Sequence, residues 1–197
     1  MFTGLIFHRG VFRAYRSNRQ EVIIEAPEEL CRRLEKGQSL SVDGVCLTVT
    51  RIEDRQLTFN LAKETLEKTT LGKLKPGQLL NLELPATLDS LLGGHLVTGH
   101  VDGTGQVAEV RLRPPGKRLK IRLEEEIRKY LVEKGSVAVN GVSLTVAAVG
   151  PGYFEVELIP STLQQTNLDR LRPGDAVNVE CDIIGKYVYN FISKIKS

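Results

Sequence analysis

Cysteine is scarce in this chain of 197 residues, where Cys31, Cys46 and Cys181 are the three present. An odd number without metal-ligand spacing argues against a disulfide framework and a structural zinc site, and fits a reducing cytoplasm. No run approaches the ~20 apolar residues that a membrane-spanning helix requires. Neither sign of charge dominates, because 27 lysines and arginines face 24 aspartates and glutamates for a net +3. Such a balance excludes a nucleic-acid-coating protein. The opening Met1-Phe2-Thr3-Gly4-Leu5-Ile6 lacks a basic start and a small-residue cleavage site, so no signal peptide is expected. Signatures for nicotinamide, flavin or metal are missing as well, so any chemistry must be carried by the substrate.

A hydrophobic content of 41% suffices for a packed core, in one ordinary domain or two compact ones. Sliding the sequence against itself decides between them. Phe2-Thr3-Gly4 followed by Gly10 matches Val97-Thr98-Gly99 followed by Gly105 at an offset of 95. At an offset of 97, Asp43-Gly44-Val45-Cys46-Leu47-Thr48-Val49 matches Asn140-Gly141-Val142-Ser143-Leu144-Thr145-Val146. The same offset pairs Lys63-Glu64-Thr65-Leu66 with Pro160-Ser161-Thr162-Leu163, Leu74-Lys75-Pro76-Gly77 with Leu171-Arg172-Pro173-Gly174, and Asn81-Leu82-Glu83 with Asn178-Val179-Glu180. A period of about a hundred residues is too long for a solenoid unit, so each copy is a domain. The expected division is residues 1–92, 93–184 and a terminal 185–197, with Leu84 to Gly94 as the joint.

Each copy is rich in short β-runs around polar turns. Leu47 to Ile52, Glu53-Asp54-Arg55 and Gln56 to Phe59 form one hairpin; Val142 to Val149, Gly150-Pro151-Gly152 and Tyr153 to Leu158 form its repeat. Closely spaced hairpins with little helix predict small barrels. One amphipathic helix is expected per copy, the first opened by Pro27, carrying Leu30 and Leu34 and closed by Gly37. The second carries Leu123, Ile127 and Leu131 and closes at Gly135. Apolar residues Ile183, Ile184, Tyr187, Val188, Phe191, Ile192 and Ile195 trace a helical stripe at the end. That stripe packs either on its own domain or on a symmetric partner helix.

Of the three histidines, His8 is isolated, whereas His95 and His100 flank a glycine-rich run. Their odd spacing puts them on opposite faces of a strand, against a two-histidine metal site. His100 reads either as a general base or ligand donor, or as a structural histidine satisfying a glycine-rich turn. The run lacks the glycine order of a phosphate-binding loop. Alternation places Cys46 and Thr48 on one face of their strand, and Ser143 and Thr145 on the equivalent face of the repeat. Small polar groups in a barrel mouth suit hydrogen bonding to a heterocycle's carbonyls and ring nitrogens; alternatively, threonine and cysteine are simply good strand residues.

Met1 to Ile6, Asp43 to Val49, Lys63 to Leu66, Gly93 to Gly103, Asn140 to Val146 and Ile159 to Leu163 together resemble the riboflavin synthases of the α-subunit type, over essentially the whole chain. The resemblance implies an all-β protein of two tandem six-stranded Greek-key barrels followed by a C-terminal α-helix. It further implies a homotrimer held partly by those helices, with active sites between the N-terminal barrel of one subunit and the C-terminal barrel of its neighbour. The implied reaction is a cofactor-free dismutation of two 6,7-dimethyl-8-ribityllumazine molecules to riboflavin and 5-amino-6-(ribitylamino)uracil. Association with lumazine synthase is left open.

By the same resemblance, one lumazine contacts Cys46, Leu47, Thr48 and the stretch Asn60, Leu61, Ala62, Lys63, Glu64 and Thr65. The other contacts Lys134, Ser143, Leu144, Thr145 and the stretch Glu157, Leu158, Ile159, Pro160, Ser161 and Thr162. Gly4, Leu5 and Ile6, with the neighbour's Gly99, His100 and Val101, close the site. His100, Cys46, Ser143, Thr145 and Asp182 match positions implicated in proton handling or substrate activation. The segment Phe7-His8-Arg9 departs from the family pattern, which is commonly acidic there. A non-catalytic lumazine-binding antenna protein of the same family is the alternative. A generic nucleic-acid or oligosaccharide barrel fits less well, because only Phe59, Tyr153 and Phe154 supply aromatics to the hairpin strands and no basic stripe accompanies them.

Overall fold

The structure, a computed structural model, describes residues 1–195. Two closed six-stranded barrels follow one another. The first is built from β1 (His8–Arg16), β2 (Glu21–Glu25), β3 (Ser39–Val42), β4 (Val45–Glu53), β5 (Gln56–Asn60) and β6 (Leu79–Glu83), in the spatial order β1-β2-β5-β4-β3-β6. The second repeats that order with β7 (Gly103–Arg113), β8 (Gly116–Arg122), β9 (Ser136–Val139), β10 (Val142–Gly150), β11 (Tyr153–Leu158) and β12 (Ala176–Cys181). Register shifts recur at equivalent places, between Val49 and Arg51 in β4 and between Val146 and Ala148 in β10. Such bulges bend a strand enough to close a small barrel.

The barrels are filled by side chains. Phe12, Leu40, Leu57, Phe59 and Leu80 lie in the first core, and Leu119, Ile121, Phe154, Val156 and Val177 in the second, all fully or almost fully buried. The amphipathic segments bury the expected faces but are one turn long: α1 spans Glu28–Cys31 and α3 spans Glu125–Arg128. The chain tightens into three-residue turns, Leu34 N–H bonding to Cys31 O and Leu131 N–H to Arg128 O. Positive φ at Gly37 and Lys134 then ends each segment. Each barrel also has a second short helix that periodicity did not reveal, α2 (Lys63–Lys68) and α4 (Pro160–Gln165). Six residues are too few to show an amphipathic period.

The barrels meet across a pseudo-dyad of matched polar groups. Asn81 Nδ2 donates to Asn140 O at 2.9 Å, and Asn178 Nδ2 donates to Asp43 O at 2.8 Å. The Asn81 amide N–H bonds to Asp43 Oδ1 at 2.7 Å, matched by Asn178 N–H to Asn140 Oδ1 at 2.8 Å. A Cβ on Gly44 would sit 2.7 Å from Gly141 N, and both glycines have positive φ, so the turns touch only because neither carries a side chain. Phe2 and Val97 pair across the dyad through two backbone hydrogen bonds. The segments leading into the barrels, residues 1–7 and 95–102, are straps that exchange barrels: Ile6 lies in the second core, while Val101 packs against the first.

The last element, α5 (Ile183–Ile195), follows β12 after Asp182. Gly185 lets it approach Tyr130 O, and Tyr189 meets the Tyr130 ring edge-on at 5.3 Å. Its apolar stripe faces away: Ile184, Tyr187, Val188, Phe191, Ile192 and Ile195 are all exposed. Among the described residues, no helix is long and apolar enough to cross a membrane.

Candidate functional site

Strand alternation in β4 and β10 sets the two candidate pockets. Leu47 and Leu144 are buried in their barrels, which turns Cys46 and Thr48, and Ser143 and Thr145, to the other side of the sheet. The polar pairs therefore lie on the outer face of each barrel and not inside its mouth, because the interior of so small a barrel is taken up by its hydrophobic side chains.

Each pair is backed by a glycine from a strap. Ser143 N–H donates to Gly4 O and Cys46 N–H to Gly99 O, both at 2.9 Å. A Cβ on Gly4 would lie 2.6 Å from Ser143 Cβ, and one on Gly99 would lie 2.5 Å from Cys46 Cβ. Both glycines also have positive φ, so backbone conformation and space each demand glycine. Two buried glutamates fix the straps. Glu83 accepts from Thr3 N and Oγ1 at 2.7 Å each and from Gly4 N at 3.1 Å. Glu180 does the same for Thr98 N, Thr98 Oγ1 and Gly99 N, at 2.7, 2.7 and 3.0 Å. Burial pushes the Glu83 carboxyl above its ordinary pKa, against the pull of the hydrogen bonds from Thr3 and Gly4.

The flanking stretches follow from register. Val49 opposes Phe59 and Val146 opposes Val156, so the chain leaving β5 and β11 passes beside Thr48 and Thr145. On the first side Leu61 is buried as an anchor, while Asn60, Ala62, Lys63 and Glu64 are exposed and Thr65 is half-buried. On the second, Leu158 is the buried anchor; Glu157, Ile159, Pro160 and Ser161 are exposed and Thr162 is half-buried. Lys134 is exposed with φ +66°, and its repeat equivalent is Gly37 with φ +94°. The second repeat thus carries a cation where the first has no side chain.

Gly99, expected to reach a neighbour's pocket, lies on Cys46 of its own chain. His100 is exposed, and its ring makes no hydrogen bond among the described residues; only its backbone N–H is engaged, by Thr98 Oγ1 at 3.2 Å. Leu5 lines a shallow apolar hollow of about 410 Å³ with Phe7, His8 and Leu91. Asp182 accepts from Ile184 N at 3.0 Å at the start of α5.

Three residues beyond the candidates shape the two seats. Glu83 and Glu180 stood in the repeated Asn-x-Glu block, which was the available signal. His95, whose odd spacing from His100 speaks against a shared metal, lies in no strand, and its Nδ1 is 2.7 Å from Ser143 Oγ. A polar groove of about 470 Å³ also opens at the dyad, lined in part by Asp43, Lys73, Asn140, Asn167 and Arg170. It contains none of the candidate residues, which gather instead at the two strap seats.

A family model described as the lumazine binding domain matches the chain twice, over residues 3–85 and 98–182. The chain is 36% identical over 195 residues to riboflavin synthase of Actinobacillus pleuropneumoniae, covering 98% of this chain and 91% of that protein. It is 39% identical over 198 residues to riboflavin synthase of Mycobacterium tuberculosis, covering 95% and 96%. Among solved structures, LumP complexed with 6,7-dimethyl-8-(1'-D-ribityl) lumazine superposes with a TM-score of 0.82 at 26% identity, over 91% of this chain and 98% of that one.

Proposed function

The chain belongs to the riboflavin synthase family of lumazine-binding proteins, and on that premise we propose that it converts two molecules of 6,7-dimethyl-8-ribityllumazine into riboflavin and 5-amino-6-(ribitylamino)uracil by transfer of a four-carbon unit. The observation that carries this reading is that one seat is built twice in one chain. Cys46 stands against Gly99 and Ser143 against Gly4, with Thr48 and Thr145 on the same strand faces, and a buried glutamate holds each strap. Two copies of one pocket suit a reaction between two copies of one molecule.

In this reading the protein contributes mainly orientation, which supplies ~7–11 kcal/mol of barrier lowering in favourable cases. The lumazine ring delocalises the carbanion formed at its C7 methyl, so no cofactor takes part. Cys46 and Thr48 with the Asn60–Thr65 stretch hold one lumazine. Ser143, Thr145 and Lys134 with the Glu157–Thr162 stretch hold the other, and Gly4–Ile6 and Gly99–Val101 close over them. His100, exposed beside the Gly99 seat, is free to reach a bound ring, and Asp182 lends negative charge near Ser143 and His95.

The exposed stripe of α5 supports a homotrimer in which these helices cover one another and barrels of neighbouring subunits face each other. A cytoplasmic location goes with this reading, and association with lumazine synthase is a further partner to test by co-sedimentation. Incubation with the purified lumazine, without added cofactor, should yield riboflavin fluorescence and one riboflavin for every two lumazines consumed. A folded protein that makes none is not this enzyme. The likeness to LumP favours a second reading, a lumazine-binding antenna; two bound ligands per chain support the enzyme, and one supports the antenna.

A further inference from the structure

His95 lies two residues ahead of Val97 and outside every strand. Its ring lies on the second pocket, Nδ1 at 2.7 Å from Ser143 Oγ. Gly94 brings it there. A Cβ on Gly94 would lie 2.1 Å from Thr3 O and 2.9 Å from Ser143 Cβ, so only glycine passes between the opening strap and β10. In the first pocket Cys46 takes the place of Ser143, and its thiol makes no hydrogen bond among the described residues.

A serine hydroxyl otherwise rotates among staggered positions, and a bond to a fixed imidazole selects one. The other ring nitrogen, Nε2, is buried without a partner among the described residues. An orphaned buried N–H is rarer than an orphaned acceptor, which places the ring proton on Nδ1, donating to Ser143 Oγ. Burial holds the His95 pKa below its ordinary value against the carboxylates of Asp182 and Glu180, so the ring stays neutral. Ser143 accepts from His95 and keeps its own O–H for the pocket.

We propose that His95 is a positioning residue that sets the Ser143 hydroxyl as a hydrogen-bond donor in the second pocket, making the two repeat-related pockets chemically unequal. The proposal rests on the riboflavin synthase reading. The acceptor is a carbonyl oxygen or ring nitrogen of the bound lumazine, an atom that gains negative charge as the reaction proceeds, so the bond strengthens in the transition state. His95 itself takes up no proton in this role.

The test compares His95→Ala, Ser143→Ala, the double variant, Cys46→Ala, and His95→Ala combined with Cys46→Ala. Riboflavin formation gives kcat and KM, riboflavin binding is read by fluorescence quenching, and thermal melting reports folding. His95→Ala and Ser143→Ala should each lower kcat about 10-fold, the worth of one hydrogen bond, with KM and riboflavin binding within about 3-fold. The double variant should be no slower than either single one, whereas the Cys46 and His95 effects should multiply. His95→Asn, whose side-chain N–H reaches the place of Nδ1, should recover kcat to within about 3-fold of wild type, and it carries the test if His95→Ala does not fold. Unchanged kcat in His95→Ala, multiplicative loss in the double variant, or a His95→Asn protein that melts like wild type yet fails to recover would each overturn the proposal. A wild-type protein that forms no riboflavin refutes the function itself; wild-type turnover with unaffected His95 variants refutes only this role.

Discussion

Replacing Asp43 by asparagine should remove a pH dependence that the first repeat has and the second lacks. Asp43 is 1% exposed at the pseudo-dyad, where its Oδ1 accepts from Asn81 N and Asn167 Nδ2. Burial raises its pKa from 3.8 to about 7, against the pull of those two hydrogen bonds. The charged groups of the adjoining groove, Glu67, Lys73, Lys75, Arg170 and Asp175, are mixed in sign. Because the folded value lies above the unfolded one, the stability associated with this carboxyl is fully present below pH 3.8 and is lost as pH rises to about 7. At 1.36 kcal/mol per pH unit, that interval amounts to ~4 kcal/mol.

Asparagine fits the site, since the equivalent Asn140 holds the same kind of turn at φ +46°, against +44° for Asp43. The amide keeps the acceptor oxygen and cannot ionise. Urea unfolding of both proteins at fixed concentration, from about pH 4 to about pH 8, should show near-equal stability at the acid end. The variant should then gain over wild type with rising pH, by ~4 kcal/mol at the alkaline end. A difference that stays constant across this range would refute the reasoning, because the carboxyl would then titrate alike in the folded and unfolded chains.

Phe2→Ala should cost ~3–5 kcal/mol in urea unfolding, because this fully buried ring fills the contact between Val97, Ala138 and Cys46 at the dyad; a loss under ~1 kcal/mol contradicts that packing. Gly99→Ala should destabilise by at least ~1–2 kcal/mol from φ +84° alone, with added displacement of Cys46 and weaker lumazine binding measured by fluorescence titration. Phe191→Asp, on the exposed stripe of α5, should leave both barrels folded by circular dichroism but shift the sedimenting mass of the proposed trimer, three times the 21.9 kDa chain, toward one. Cys46→Ser should fold normally and turn over more slowly, and unchanged turnover removes its thiol from the chemistry.

The duplication, the strand-rich halves and the span of α5 were legible in the sequence, because each is written in local order or repeated spacing. Ile183 to Ile195 needed only a period of 3.6. The polar pairs of β4 and β10 were found by alternation, which states that they share a face but not which side of a barrel that face is. Only closure of the barrel, with Leu47 and Leu144 inside, turned them outward.

Glu83, Glu180 and His95 belong to the structure in a stronger sense. Glu83 holds Thr3 from eighty residues away along the chain, and His95 meets Ser143 from forty-eight. Neither the helical nor the strand period reports contacts at such separations. Composition, repeat and terminal stripe follow from near-neighbour order, which a linear sequence records directly. The exchange of straps between barrels, the glycine seats and the pairing of one pocket with an imidazole arise where the folded chain returns upon itself. There excluded volume and hydrogen bonding act between residues that the sequence keeps apart.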